Sequence, residues 1–209
     1  MATTQPAGVE NVSSEGSIAP SSLIRWGGPA AILGGVLVTI GSFSSYNTWE
    51  SGALWGAGFA LMFVGITGAY LHLRRSGRIG LSGTVGFYMS IWAFVVLTII
   101  GSGAILNVWG AQWYENVGLL YEPPLILGSA MFGVAILRSG GLPRGGAWLL
   151  IAFPITEVGA IVSMAVSGYT LGGWVWSVPS VAFGLGWVWL GYGLWSESGA
   201  SAGRPSRVS

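Results

Sequence analysis

All eight cationic side chains of this 209-residue chain are arginines, and they fall in alternate gaps between six apolar runs. The runs cover about residues 23–44, 52–73, 81–106, 117–137, 146–168 and 173–195. Each holds about 20 or more largely apolar residues, enough at about 1.5 Å per residue to cross roughly 30 Å of hydrocarbon as a helix. Barrel strands would be shorter and would alternate polar and apolar positions. Arg25 lies at the N-terminal end of the first run; Arg74, Arg75 and Arg78 separate the second from the third; Arg138 and Arg144 separate the fourth from the fifth; Arg204 and Arg207 follow the sixth. The remaining gaps, 45–51, 107–116 and 169–172, hold no arginine and contain Glu50 and Glu115. Because arginines collect on the cytoplasmic side, the pattern predicts an all-α integral membrane fold, a six-transmembrane-helix bundle in the cell membrane with both termini cytoplasmic. A missing or extra span would scatter the arginines.

Composition narrows the chemistry. With 52% hydrophobic and 7% charged residues and a mean hydropathy of +0.68, the chain could not keep a soluble surface. The absence of cysteine excludes disulfides, thiolate metal sites and cysteine nucleophiles. Lysine is absent too, so Schiff-base chemistry on this chain is excluded. A net charge of +1 without a basic patch speaks against nucleic-acid partners. His72 is the single histidine. Beside Arg74 and Arg75 it reads as an interfacial histidine, since a haem or chlorophyll ligand would lack a second imidazole. No metal or cofactor site is expected.

The ends are polar. Residues 1–20 and 197–209 read as disordered cytoplasmic tails, and the first span, behind Arg25 and Trp26, reads as an uncleaved anchor. Most of the twelve tryptophans mark membrane boundaries: Trp49, Trp55, Trp109, Trp113, Trp174 and Trp176 on the outer side, and Trp26, Trp148 and Trp195 on the inner. Trp92, Trp187 and Trp189 are left deeper. Each needs a ring N–H partner inside the bundle or a lipid-facing position.

Glu157 is the strongest candidate for function. It stands near the centre of GAWLLIAFPITEVGAIVSMAVSG, residues 146–168, where a carboxyl group requires a protein interior, a partner or water. Pro154 removes the hydrogen bond to the Leu150 carbonyl and predicts a kink. Ala152, Thr156, Gly159 and Ser163 form a small-residue stripe that lets a neighbouring helix approach. Glu122, in LLYEPPLIL at 119–127, stands before Pro123 and Pro124. That order predicts a helix starting near Pro123, with Glu122 as a charge at its positive end and 117–121 irregular. If both carboxylates line one cavity, they form an outward-opening pair. Thr156, Trp92 and Trp187 complete the candidate ligand- or proton-binding set, and no residue is assigned a catalytic role.

Two weaker patterns remain. The exit of span two, LRRSGRIG at 73–80, is similar to that of span four, ILRSGGLP at 136–143, as tandem hairpins or two turns with the same requirements would make it. In span six, Gly184, Gly186, Gly191 and Gly193 predict a flat flank for close helix packing.

The stretch GVAILRSGGLPRGGAWLL at 133–150 resembles uncharacterised small six-helix bacterial membrane proteins with an Arg-Ser-x-x-Leu-Pro-Arg turn between their fourth and fifth spans. Here the turn is Arg138, Ser139, Leu142, Pro143 and Arg144. The resemblance implies the same six-span layout and carries no activity. Three functional expectations follow from the residues: a bundle that binds or moves a small apolar or cationic ligand at Glu157; an accessory or scaffold subunit joined to membrane partners through its glycine-rich flanks; and an enzyme acting on a lipid or isoprenoid, with Glu157 as acid and deep tryptophans stabilising a carbocation.

Overall fold

The computed structural model describes residues 20–44, 48–106, 108, 112–167 and 174–202. Among them are six helices: α1 (Pro20–Gly41), α2 (Trp49–Arg75), α3 (Gly80–Ile105), α4 (Gln112–Ser139), α5 (Arg144–Ser167) and α6 (Trp174–Ala202). Five contain segments long and apolar enough to cross a membrane: Ser22–Gly41, Trp49–Arg75, Gly80–Ile105, Val117–Ser139 and Arg144–Ser163. The 29-residue α6 is not among these five, for its tryptophans, serines and glycines dilute the aliphatic content.

Two expected boundaries move. α6 continues past Trp195 through Glu197 to Ala202, so residues 197–202 of the expected tail are helical. Neither Gly nor Pro interrupts it there before Gly199, and a helix needs no burial to extend by another turn once propagated. Residues 1–19 and 203–209 lie outside the described residues. The second change is at α4, which begins at Gln112 and runs unbroken through Pro123 and Pro124.

The helix ends follow from local chemistry. Thr48 caps α2, its hydroxyl accepting from the Ser51 amide at 3.2 Å, and Glu50 sits in the first turn, where the dipole favours a negative charge. His72, Arg74 and Arg75 occupy its last turn. The similar exits of α2 and α4 share one cap. Ser76 donates to the Leu73 carbonyl and Ser139 to the Ile136 carbonyl, three residues back in both cases. The next residue is a glycine with positive φ, Gly77 at 69° and Gly140 at 64°, a backbone conformation that side chains disfavour.

Each helix packs on its neighbours in sequence, and α6 returns to α1, so the six close into a ring. At one end, Gly28 of α1 lies against Trp195 of α6, and His72 of α2 meets Glu197 of α6 at 3.1 Å. The described arginines, Arg25, Arg74, Arg75, Arg78, Arg138 and Arg144, belong to this end. Small residues set the spacing. A Cβ on Gly27 would stand 2.9 Å from the Cα of Gly68, and one on Gly56 would stand 3.2 Å from the Cα of Gly101. Such approaches let dispersion forces act between backbones where lipid and core are equally apolar.

Among the described residues, side chains fill the centre of the ring at mid-height. Phe59 of α2, Phe94 of α3, Phe153 of α5 and Phe183 and Trp187 of α6 meet there, with Phe132 of α4 stacked on Trp187. The outer surface carries Leu33, Ile40, Phe63, Val95, Ile99, Leu127 and Val158, all exposed. Apolar residues on both sides of a helix are the arrangement of a bundle surrounded by hydrocarbon.

Candidate carboxylate pair

α4, which carries Glu122, and α5, which carries Glu157, are neighbours in the ring. Glu122 and Glu157 are half-buried, and Glu157 lies within electrostatic reach of Glu122. Helical spacing fixes their setting. Glu157 follows Phe153 by four residues and shares its face, and Phe153 is buried against Phe183 at a ring distance of 4.7 Å. Glu122 precedes the buried Leu125 and Ser129 by three and seven residues, again on one face. Glu157 therefore stands about one turn from the aromatic cluster, and Glu122, ten residues before Phe132, lies further towards the end of the bundle that lacks arginine.

Glu122 is not the helix cap that its prolines predict. Prolines tolerated at a first turn are also tolerated inside an apolar helix when another donor compensates for the missing amides. Here the Leu120 carbonyl, deprived of its partner by Pro124, accepts from the Trp92 indole of α3 at 2.9 Å. The helix thus persists through Glu122, whose carboxyl group lies back over Gly118, 3.2 Å from where a Cβ there would be. The Tyr121 side chain also hydrogen-bonds it.

The other predicted site residues separate. Thr156 directs its hydroxyl to its own helix, at 2.8 Å from the Phe153 carbonyl and 3.2 Å from that of Ala152, so its proton is already committed. α5 is continuous through Pro154. Trp92 is 54% exposed on the outside of the bundle and Trp189 52%, whereas Trp187 is 1% exposed at its centre. Only one of the three deep tryptophans can therefore offer a ring to the interior. The five phenylalanines around it went unnoticed in the sequence, although each of α2 to α6 contributes one; a search for one buried aromatic per span was the available signal.

His72 holds the arginine end together. Its Nε2 lies 3.2 Å from the Gly141 carbonyl and 3.1 Å from Glu197, while Arg78 donates to the Ser139 carbonyl at 3.1 Å. Both side chains of the α2–α3 region thereby satisfy carbonyls at the end of α4. Among the described residues, no three carboxylate or imidazole groups converge as metal ligands. The predicted outer-belt residues Trp109, Trp113, Trp174 and Trp176 have side chains outside the described set.

The α6 glycines are occupied within the chain. Gly184 and Gly191 meet α1 at Gly35 and Gly28, Gly186 meets α5 at Leu149 and Gly146, and Gly193 meets Pro143. No protein-family model, curated protein or solved structure matches the chain.

Proposed function

We propose that the chain is a multi-pass protein of the cell membrane, with six spans and both termini cytoplasmic, that binds or moves a small cationic or apolar ligand at Glu157 and Glu122. The observation that carries this reading is that two half-buried acids stand on the adjacent helices α4 and α5, Glu157 within electrostatic reach of Glu122 and about one turn from a cluster of phenyl rings. Two like charges held together in an apolar setting favour a positive charge between them, and phenyl faces attract cations as well. α6 counts as the sixth span because it closes the ring and is 29 residues long. The arginine distribution supports the orientation.

Closed phenyl packing below the pair favours binding from the arginine-free side. Movement across would require the layer containing Phe153 and Phe183 to part. The accessory-subunit reading loses its predicted surface, since the α6 glycines serve α1 and α5. The carbocation reading loses two of its three rings to the outer surface.

Binding of tetraphenylphosphonium, a lipophilic cation, to the purified protein in lipid nanodiscs tests the proposal by equilibrium dialysis. Glu157→Gln should weaken it by about tenfold, the factor for roughly 1.4 kcal/mol. Unchanged affinity in both Glu157→Gln and Glu157→Ala would sink the idea.

A further inference from the structure

Arg144 opens α5 and stands exposed at the arginine end of the bundle. Trp148 follows it by four residues, so the two side chains are neighbours on one face of the helix, and Trp148 is exposed as well. That face lies outside the ring, because α5 meets α6 through Gly146 and Leu149 and meets α4 through Ala147 and Ile151. A third side chain joins them from α6. A Cβ on Gly145 would stand 2.9 Å from the six-membered ring of Trp189, so that indole lies against α5 at the residue next to Arg144 and three before Trp148. Trp189 is also exposed, as is Tyr192 one turn nearer the end of α6.

The α5–α6 seam thus carries a guanidinium between exposed aromatic rings. Away from the arginine end it continues as hydrocarbon, with Ile155 two turns beyond Trp148 and Leu185 one turn beyond Trp189, both exposed. Charge indicates what the polar end accepts. The described residues of this end include six arginines and one carboxylate, Glu197, which His72 engages at 3.1 Å. Arg144 has no carboxylate partner among the described residues.

We infer that the α5–α6 seam binds one anionic phospholipid, its phosphate at Arg144, its glycerol region at Trp148 and Trp189, and an acyl chain along Ile155 and Leu185. A guanidinium matches two phosphate oxygens at once, and indoles with one wet and one apolar edge suit the depth of the glycerol esters. A zwitterionic phospholipid fits less well, for it brings a cation of its own to an end already rich in arginine. An acidic protein segment would match the charge and leave the hydrocarbon row unused. The inference takes from the proposed function only that the chain lies in a membrane with α6 as a span. The two acids have no part in it.

Native mass spectrometry of delipidated protein in detergent tests the site with dioleoylphosphatidylglycerol and dioleoylphosphatidylcholine, which share their chains and differ in charge. The wild type should bind the first phosphatidylglycerol about fivefold more tightly than phosphatidylcholine, the factor for one arginine near a membrane surface. Arg144→Gln should abolish that preference. Arg74→Gln removes the same charge from α2, opposite α5 in the ring, and should preserve it. Trp148→Ala should weaken both lipids together. Tetraphenylphosphonium binding should be untouched by Arg144→Gln, and the lipid preference by Glu157→Gln, so the two readings fail separately. Equal affinity for the two lipids in the wild type would overturn the inference. So would equal losses from Arg144→Gln and Arg74→Gln, the mark of a diffuse field, or displacement of the lipid by glycerol phosphate at the same concentration, the mark of an anion site without a chain.

Discussion

The indole N–H of Trp92 on α3 donates at 2.9 Å to the backbone carbonyl of Leu120 on α4. That carbonyl is the one whose helical partner would be the amide of residue 124, and residue 124 is proline. One side chain thus compensates for a backbone group that another residue removed. In hydrocarbon no water is present to do so, and the bond lets α4 run on past Pro124. The bond also ties α3 to the segment that carries Glu122.

Trp92→Phe should therefore destabilise the bundle by about 1 kcal/mol, within the range of interhelical hydrogen bonds in membranes. In a Pro124→Ala background the Leu120 carbonyl regains a helical donor, and the same substitution should cost little. A double-mutant cycle on unfolding in mixed micelles measures the coupling. Equal costs in both backgrounds would show that the indole acts through packing alone.

The carboxylate pair makes a prediction about non-additivity. Glu122→Gln and Glu157→Gln should each weaken tetraphenylphosphonium binding, and the double variant should lose less than the two single losses together, because both act on one bound charge. Strictly additive losses would mean that the two acids serve separate sites.

Glycine substitutions should divide sharply by position. A Cβ on Gly184 would press on Thr39 and on the Gly35 carbonyl, so Gly184→Ala should cost about 1–3 kcal/mol through overpacking between α6 and α1. On Gly159 of α5 a Cβ meets nothing within 4 Å. Gly159→Ala should be neutral or stabilise by up to about 1 kcal/mol, the helix-propensity gain. Thermal unfolding of the two variants in the same detergent checks both signs.

At the arginine end, Arg78→Ala removes the donor to the Ser139 carbonyl, and His72→Ala removes the contacts to Gly141 and Glu197. Faster amide exchange should appear in the turn 140–143 with little change in the middle of α4. Exchange unchanged in that turn would mean that the Ser139 and Gly140 cap holds it unaided.

Legibility was uneven along the chain, for physical reasons. The Arg-Ser-Gly exits of α2 and α4 were readable because a helix end is decided by a few adjacent residues: a hydroxyl that bonds three residues back and a glycine free to take positive φ. Glu122 was misplaced as a cap because its prolines obey the same local rules at a helix start and inside a helix; the helix was continued with the help of Trp92, 28 residues before the Leu120 carbonyl that it bonds. The end of α6 was set too early because apolarity marks where hydrocarbon ends, and hydrogen bonding need not end there.

By itself, then, the sequence determined that the chain is all-helical, with helices long and apolar enough to cross a membrane, and how the Arg-Ser-Gly exits of α2 and α4 are built, since length, hydropathy and capping act segment by segment. Only the tertiary structure decided which faces meet. It closed α6 onto α1, turned Trp92 and Trp189 outward and Trp187 inward, and put Glu157 within electrostatic reach of Glu122. In a soluble protein a helix announces its buried face by polar residues on the other. Here lipid and core are both apolar, so the inward face is chosen by shape, through the glycines that admit close approach and the rings that fill the centre.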